Sequence, residues 1–167
     1  MRRVFVLAVA LSLLTTFSLP HGADSSQRVV LGEFFTNTGC PDCPKAETAL
    51  DTLVESHPET FITIRYHVWW PDREDPFYKV NAEESTARVN YYDVKYAPHL
   101  ILDGILSDYD EHAQSMWPGL LIQREQIDSP LVIELIPRYG SVVASIDASQ
   151  PITVTNLAVH FVLTESE

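Results

Sequence analysis

Cys40 and Cys43 are the only cysteines in 167 residues, and they stand in Gly39-Cys40-Pro41-Asp42-Cys43-Pro44. Two thiols at that spacing can exchange disulfides: one thiolate attacks a disulfide sulfur, a mixed disulfide forms, and the second thiol resolves it. A bridge closing so short a loop takes little entropy from the unfolded chain, which weighs against a purely structural staple. A structural bridge and a metal site stay open as alternatives, the latter with Cys40, Cys43 and His67 or His99 holding copper or zinc. No second Cys or His pair at ligand spacing accompanies them, so neither a metal nor a cofactor is expected.

The flanking sequence supplies a strand before the pair and a helix after it. Val29 to Thr36 is apolar on both faces apart from Glu33, which predicts a central strand covered on both sides. From Pro44, Ala46, Ala49, Leu50, Leu53 and Val54 recur at helical spacing, and His57-Pro58 ends the helix. Cys40 then lies at a helix N-terminus, where unpaired N–H groups and the helix dipole favour a thiolate, with Cys43 one turn in and more buried. Phe61 to Trp70 reads as a second buried strand, so the first three elements form a crossover with parallel strands. Asp75-Pro76 looks like an N-cap followed by proline at the first helical position. That helix runs through Phe77, Val80, Glu84, Ala87 and Tyr91, with a restart near Asn81.

After Tyr96-Ala97-Pro98, His99 to Asp103 is a short strand, and Gly104 turns it into Ile105 to Tyr109 as a hairpin. A third helix covers Glu111 to Gln126, bent or split by Pro118-Gly119. The expected domain is therefore α/β, in the order β-α-β-α-β-β-α, over residues 28–127. Residues 130–167 alternate like a partial β-sandwich, around Leu131-Ile133-Leu135, Val143 and Leu157-Val159-Phe161-Leu163. Three strands cannot close a sandwich. The segment is expected to be incomplete, continuing in the natural product or packing on the first domain or a partner.

Met1-Arg2-Arg3 and the apolar run Val4 to Leu19, followed by Pro20, Gly22 and Ala23, read as a secretory signal peptide over residues 1–23. Its removal takes away Arg2 and Arg3 and no acid, moving the formal charge from −12 to −14. Such a chain repels nucleic acid and anionic membrane surfaces, and no membrane span is expected after cleavage. The expected location is the periplasm or cell envelope, where disulfides persist.

Cys40-Pro41-Asp42-Cys43 between strand and helix, with Tyr96-Ala97-Pro98-His99 before a strand ending Asp103-Gly104, resembles the thioredoxin superfamily. The resemblance implies a thioredoxin-like fold with a cis proline at Pro98, where Ala97 and Pro98 offer backbone groups to an incoming peptide strand. It also implies that Glu33 assists proton transfer to the inner cysteine. More narrowly, Glu33-Phe34-Phe35-Thr36, the Cys40 to Pro44 stretch, the Pro98 to Gly104 loop and Val162-Leu163-Thr164-Glu165 look like the family of Omp-twenty-eight-related outer membrane proteins.

Two functions follow as expectations. The first is an exported thiol–disulfide oxidoreductase acting on protein thiols or disulfides. The second is a non-catalytic envelope binding or assembly module on the same scaffold. Asp42 puts negative charge beside Cys40 and opposes thiolate formation there, so the pair should be a weaker oxidant than one carrying histidine at that place.

Overall fold

The computed structural model of the chain describes residues 26–107, 113–153 and 155–164. The expected signal peptide, the end of the hairpin at Tyr109, the start of the third helix at Glu111 and Glu165 lie outside the described residues.

Strand β1 (Val30–Thr36) leads into helix α1 (Cys43–Ser56), and β2 (Phe61–His67) follows. β1 and β2 pair in parallel, with Val30 opposite Phe61 and Thr36 opposite His67, which is what a right-sized helical crossover demands. β2 is three residues shorter than the apolar run suggests, because its partner β1 ends at Thr36, opposite His67.

The next helical stretch is two helices, α2 (Pro76–Val80) and α3 (Ala82–Tyr92), broken at Asn81 as the sequence predicts. β3 (His99–Leu102) and β4 (Leu106–Ser107) form the hairpin, with Asp103 and Gly104 both at positive φ, 50° and 66°, in the turn. A 3₁₀ turn over Ala113–Met116 precedes helix α4 (Trp117–Glu125), so the third helix begins beside Pro118 rather than bending at it. The sheet order is β2-β1-β3-β4, with β3 antiparallel to β1. The expected β-α-β-α-β-β-α order therefore holds, with its second helix in two pieces. Among the described residues no helix is long and apolar enough to cross a membrane.

Side-chain alternation on β1 divides the core into two layers. Val30 and Phe34 point to the face covered by α1 and α4, where they meet Ala46, Leu50, Leu53, Trp117 and Leu121. Phe35 points to the other face, with Tyr66, Ile101 and Val89 of α3. Trp117 is thus a core residue, and Trp69 and Trp70 pack against the second layer.

The ends of this unit are pinned together. Arg28 donates to the Ile127 carbonyl at 2.7 Å and to Asp103 Oδ2 at 3.1 Å, and Ser26 bridges to Ser129. Beyond it, β5 (Leu131–Arg138) and β6 (Ser141–Ala148) form an antiparallel hairpin. The third strand expected over Leu157 to Leu163 is not seen. Those described residues join no ladder, and Leu157, Val159, Phe161 and Leu163 are exposed because β5 and β6, themselves open to solvent, present no facing sheet for them to cover.

Leu50 is fully buried in the middle of α1, so it couples the helix that begins at Cys43 to the sheet. Leu50→Ala is expected to lower the unfolding free energy by about 2–5 kcal/mol, read from urea denaturation.

Candidate functional site

Cys40 and Cys43 are joined in a disulfide, with Cα atoms 5.4 Å apart. Cys43 is the first residue of α1 and its backbone N–H donates to Cys40 Sγ at 3.2 Å, so an unpaired helix-terminal donor does reach the outer sulfur. Cys43 is 1% exposed and Cys40 is 5% exposed. Asp42 caps the helix in position only: its side chain accepts no capping hydrogen bond and is exposed.

The Ala97–Pro98 peptide is cis, and the Ala97 carbonyl oxygen lies 3.6 Å from Cys40 Sγ. The loop before β3 therefore sits against the outer sulfur. His99, next in the chain, is buried against Phe35 and Tyr96, with Ser107 Oγ 2.9 Å from its Nε2.

The loop from Asn37 to Gly39 is held by two buried side chains. Asn37 donates through Nδ2 to the Val68 carbonyl at 2.7 Å and the Asp72 carbonyl at 2.8 Å, and its Oδ1 accepts from the Gly39 N–H at 2.8 Å. A Cβ on Gly39 would stand 2.5 Å from Asp72 Cβ, which is why glycine occupies the position before the first cysteine. Asp75 is fully buried. Its Oδ1 accepts from the Phe77 and Tyr78 N–H groups at 2.9 Å, capping α2. Its Oδ2 accepts from the Thr38 N–H at 2.7 Å and meets His67 Nδ1 at 2.8 Å. Burial alone would raise the Asp75 carboxyl pKa, but the Thr38 and Tyr78 N–H groups and the His67 ring outweigh it and hold it at about 2.

Glu33 is placed elsewhere. It is buried on the face of β1 that carries Phe35, where Arg88 grips it through Nε at 2.5 Å and a second nitrogen at 2.7 Å, and the Tyr92 hydroxyl donates to it at 2.5 Å. Its bond to Arg88 pushes the guanidinium pKa up. Burial, then the hydrogen bond to Glu33, pushes the Tyr92 hydroxyl up, and burial, then the Glu33 charge, raises Tyr66 to about 12. The α1 face of β1 belongs to Val30, Phe34 and Thr36, so Glu33 and α1 lie on opposite sides of the sheet. The relay to the inner cysteine implied by resemblance is corrected accordingly: the surroundings of Glu33 are those of a satisfied buried ion pair.

A pocket of about 420 Å³ opens beside the inner cysteine, lined by Thr36, Asn37, Thr38, Cys43, Pro44, Glu47 and His67. Among the described residues no cluster of three or more His, Cys, Asp or Glu side chains is set to hold a metal. Sequence reasoning missed Asn37 and Asp75 as site residues; Asp75 was legible only as a helix cap.

Among solved structures, the chain aligns with a structural-genomics protein of Agrobacterium tumefaciens at TM-score 0.53 and 22% identity, over 72% of this chain and 57% of that one. The sheet order β2-β1-β3-β4, with β3 antiparallel to β1 and the cysteine pair between β1 and α1, decides the architecture. The fold is thioredoxin-like. Tryparedoxin I of Leishmania major aligns at TM-score 0.42 and 16% identity over 65% of this chain and 84% of its own, and the thioredoxin Deadhead of Drosophila melanogaster at 0.41 and 12% over 60% and 83%. These two alignments are too loose to add to the argument. The chain spans little more than half the length of the Agrobacterium protein. No protein-family model matches the chain. No curated protein matches it.

The depressed Asp75 carboxyl gives a pH dependence with a definite sign. The unfolded chain binds this proton near pH 4 and the folded one only near 2, so the stabilisation is complete above about pH 4 and is lost as pH falls toward 2. It is worth about 2 kcal/mol. Urea unfolding between pH 5 and pH 2 is expected to show a flatter fall in stability for Asp75→Asn than for the wild type.

Proposed function

We propose that the chain is an exported thiol–disulfide oxidoreductase that exchanges its Cys40–Cys43 disulfide with protein thiols or disulfides. The observation that carries this reading is the disulfide itself, set at the start of α1 with its outer sulfur 3.6 Å from the carbonyl of the residue before Pro98. A thioredoxin-like fold and a Cys-x-x-Cys pair support a redox role. Export is supported by the basic start and apolar run of residues 1–19. Membership of the Omp-twenty-eight-related family, and with it an envelope location, is supported by the Glu33 to Pro44 and Pro98 to Gly104 motifs. Ala97 and Pro98 are the substrate-facing residues in this reading.

The exposed apolar side chains of β5 and β6, among them Ile133, Leu135 and Val142, favour a second reading as a binding or assembly module. Cys43→Ser separates the two. Removing the resolving thiol leaves Cys40 able to attack, so the variant is expected to accumulate mixed disulfides with protein partners, seen as bands that vanish on reduction. Absence of such bands under both oxidising and reducing conditions favours the module.

Asp42 sets the poise of the pair. Replacing it with histidine removes a negative charge near Cys40 and favours the thiolate, which stabilises the reduced form. Asp42→His is expected to raise the reduction potential by about 30 mV or more, measured against a glutathione couple.

A further inference from the structure

Exchange at a buried pair needs a route for two protons, and the inner one is the harder. Cys43 is almost wholly buried, and a thiol in such surroundings does not ionise readily. Glu33 is spent on Arg88 across the sheet. On the α1 face, side-chain alternation along β2 runs Phe61, Thr63, Arg65, His67: Phe61 lies in the α1 core layer, and Arg65 donates to Glu47 of α1 at 2.8 Å. His67 is next on that face, at the carboxyl end of its strand, and it lines the same pocket as Cys43.

The orientation of the ring follows from its partner. Asp75 is ionised over the working pH range and accepts only, so His67 Nδ1 must carry the hydrogen of their 2.8 Å bond. In the neutral ring Nε2 is then the basic nitrogen, and among the described residues it has no hydrogen-bond partner and is not sealed from solvent. Phe77 packs against the ring at a tilt, with centroids 4.6 Å apart and planes 34° from parallel. The titratable neighbours are Asp75 from the start of α2, Cys43 and Glu47 from α1, and Arg65 from β2, the last already bonded to Glu47.

We propose that the His67–Asp75 pair is the proton acceptor and donor for Cys43 in disulfide exchange, a role that rests on the oxidoreductase reading above. In the reducing direction the Cys40 thiolate attacks a substrate disulfide, forms a bond to one substrate sulfur and releases the other as a thiolate that takes a proton from solvent. Cys43 passes its proton to His67 Nε2 and its thiolate attacks Cys40 Sγ. The Cys40–Cys43 bond forms, and the bound substrate sulfur leaves with the electron pair and takes the proton held on Nε2. The dithiol of this chain loses two electrons and the substrate disulfide gains them. In the oxidising direction the same steps run backwards, and His67 returns the proton to Cys43. Asp75 acts as a positioning residue, holding the tautomer and countering the charge on the ring.

Stopped-flow reaction of the reduced full-length chain with dithiobis-nitrobenzoate reads the two steps apart. The first release of thionitrobenzoate reports attack by Cys40, and the second reports attack by Cys43 on the mixed disulfide. In the wild type the second rate is expected to rise through an imidazole ionisation and level off. In His67→Gln, whose amide can still donate to Asp75, it should be at least tenfold slower at pH 7 and climb without a plateau into the thiol range, with the slowing confined to the second release. A His67→Gln protein with the wild-type second rate and profile overturns the proposal, as does a loss of the plateau in Glu47→Gln that matches or exceeds it. Should His67→Gln fail to fold, the wild-type profile decides: a second rate that follows thiol ionisation alone overturns the pair's role. A wild type that makes the first release and never the second instead sinks the exchange reading.

Discussion

Four donors converge on the buried carboxylate of Asp75, and the geometry of the site depends on them. Two are the free N–H groups at the start of α2, one is the Thr38 N–H in the loop leading to Cys40, and one is the His67 ring at the end of β2. A carboxylate out of water is tolerable only when its lone pairs are met, so loop, strand end and helix start are each held where the others need them. Asn37 does the same for the next stretch, linking the cysteine loop to the Val68 and Asp72 carbonyls around the cis Trp70–Pro71 turn. The loop before the cysteines is therefore fixed by hydrogen bonds to a segment some thirty residues away, and Gly39 is required because that segment leaves no room for a Cβ.

The second constraint is the pleat of the sheet, which decides what each acid can do. One step along β1 separates Phe34, packed against α1 and α4, from Phe35, packed against α3. Glu33 shares the parity of Phe35 and is committed to Arg88 and Tyr92. Removing Arg88 would strand a buried charge, a loss of about 3–5 kcal/mol, so this pair belongs to the core. His67 shares the parity of Phe61 and Arg65 and falls on the side of the cysteines. Two titratable groups on neighbouring strands are thus sorted into a structural and a chemical role by alternation.

This sorting explains which parts of the protein are legible in the sequence. Patterns carried by neighbours in the chain survive: the strand before Cys40, the helix after it, the cap at Asp75 and the break at Asn81. Partnerships made across the fold do not. Nothing near Glu33 announces Arg88, fifty-five residues on, and nothing near Asp75 announces that its second oxygen serves Thr38. The resemblance to thioredoxins led to Glu33, yet its parity in β1 puts it with Phe35 on the α3 face, where Arg88 and Tyr92 hold it. The third strand of the β segment fails for a related reason: alternation at Leu157 to Leu163 is present, but a strand exists only when another edge accepts it.

The two sulfurs are consequently controlled by different means. Cys40 meets the backbone: the Cys43 N–H at the helix start and the Ala97 carbonyl of the loop before β3. Its thiolate would be favoured by the helix-terminal N–H and opposed by the exposed Asp42 charge, which salt screens readily. Cys43 meets side chains across a pocket, and side chains can change protonation state. Poise and proton traffic are therefore separable in this architecture. A charge change at position 42 acts on the equilibrium between dithiol and disulfide, whereas a change at His67 leaves that equilibrium to the backbone and acts on how fast the inner thiol reaches it.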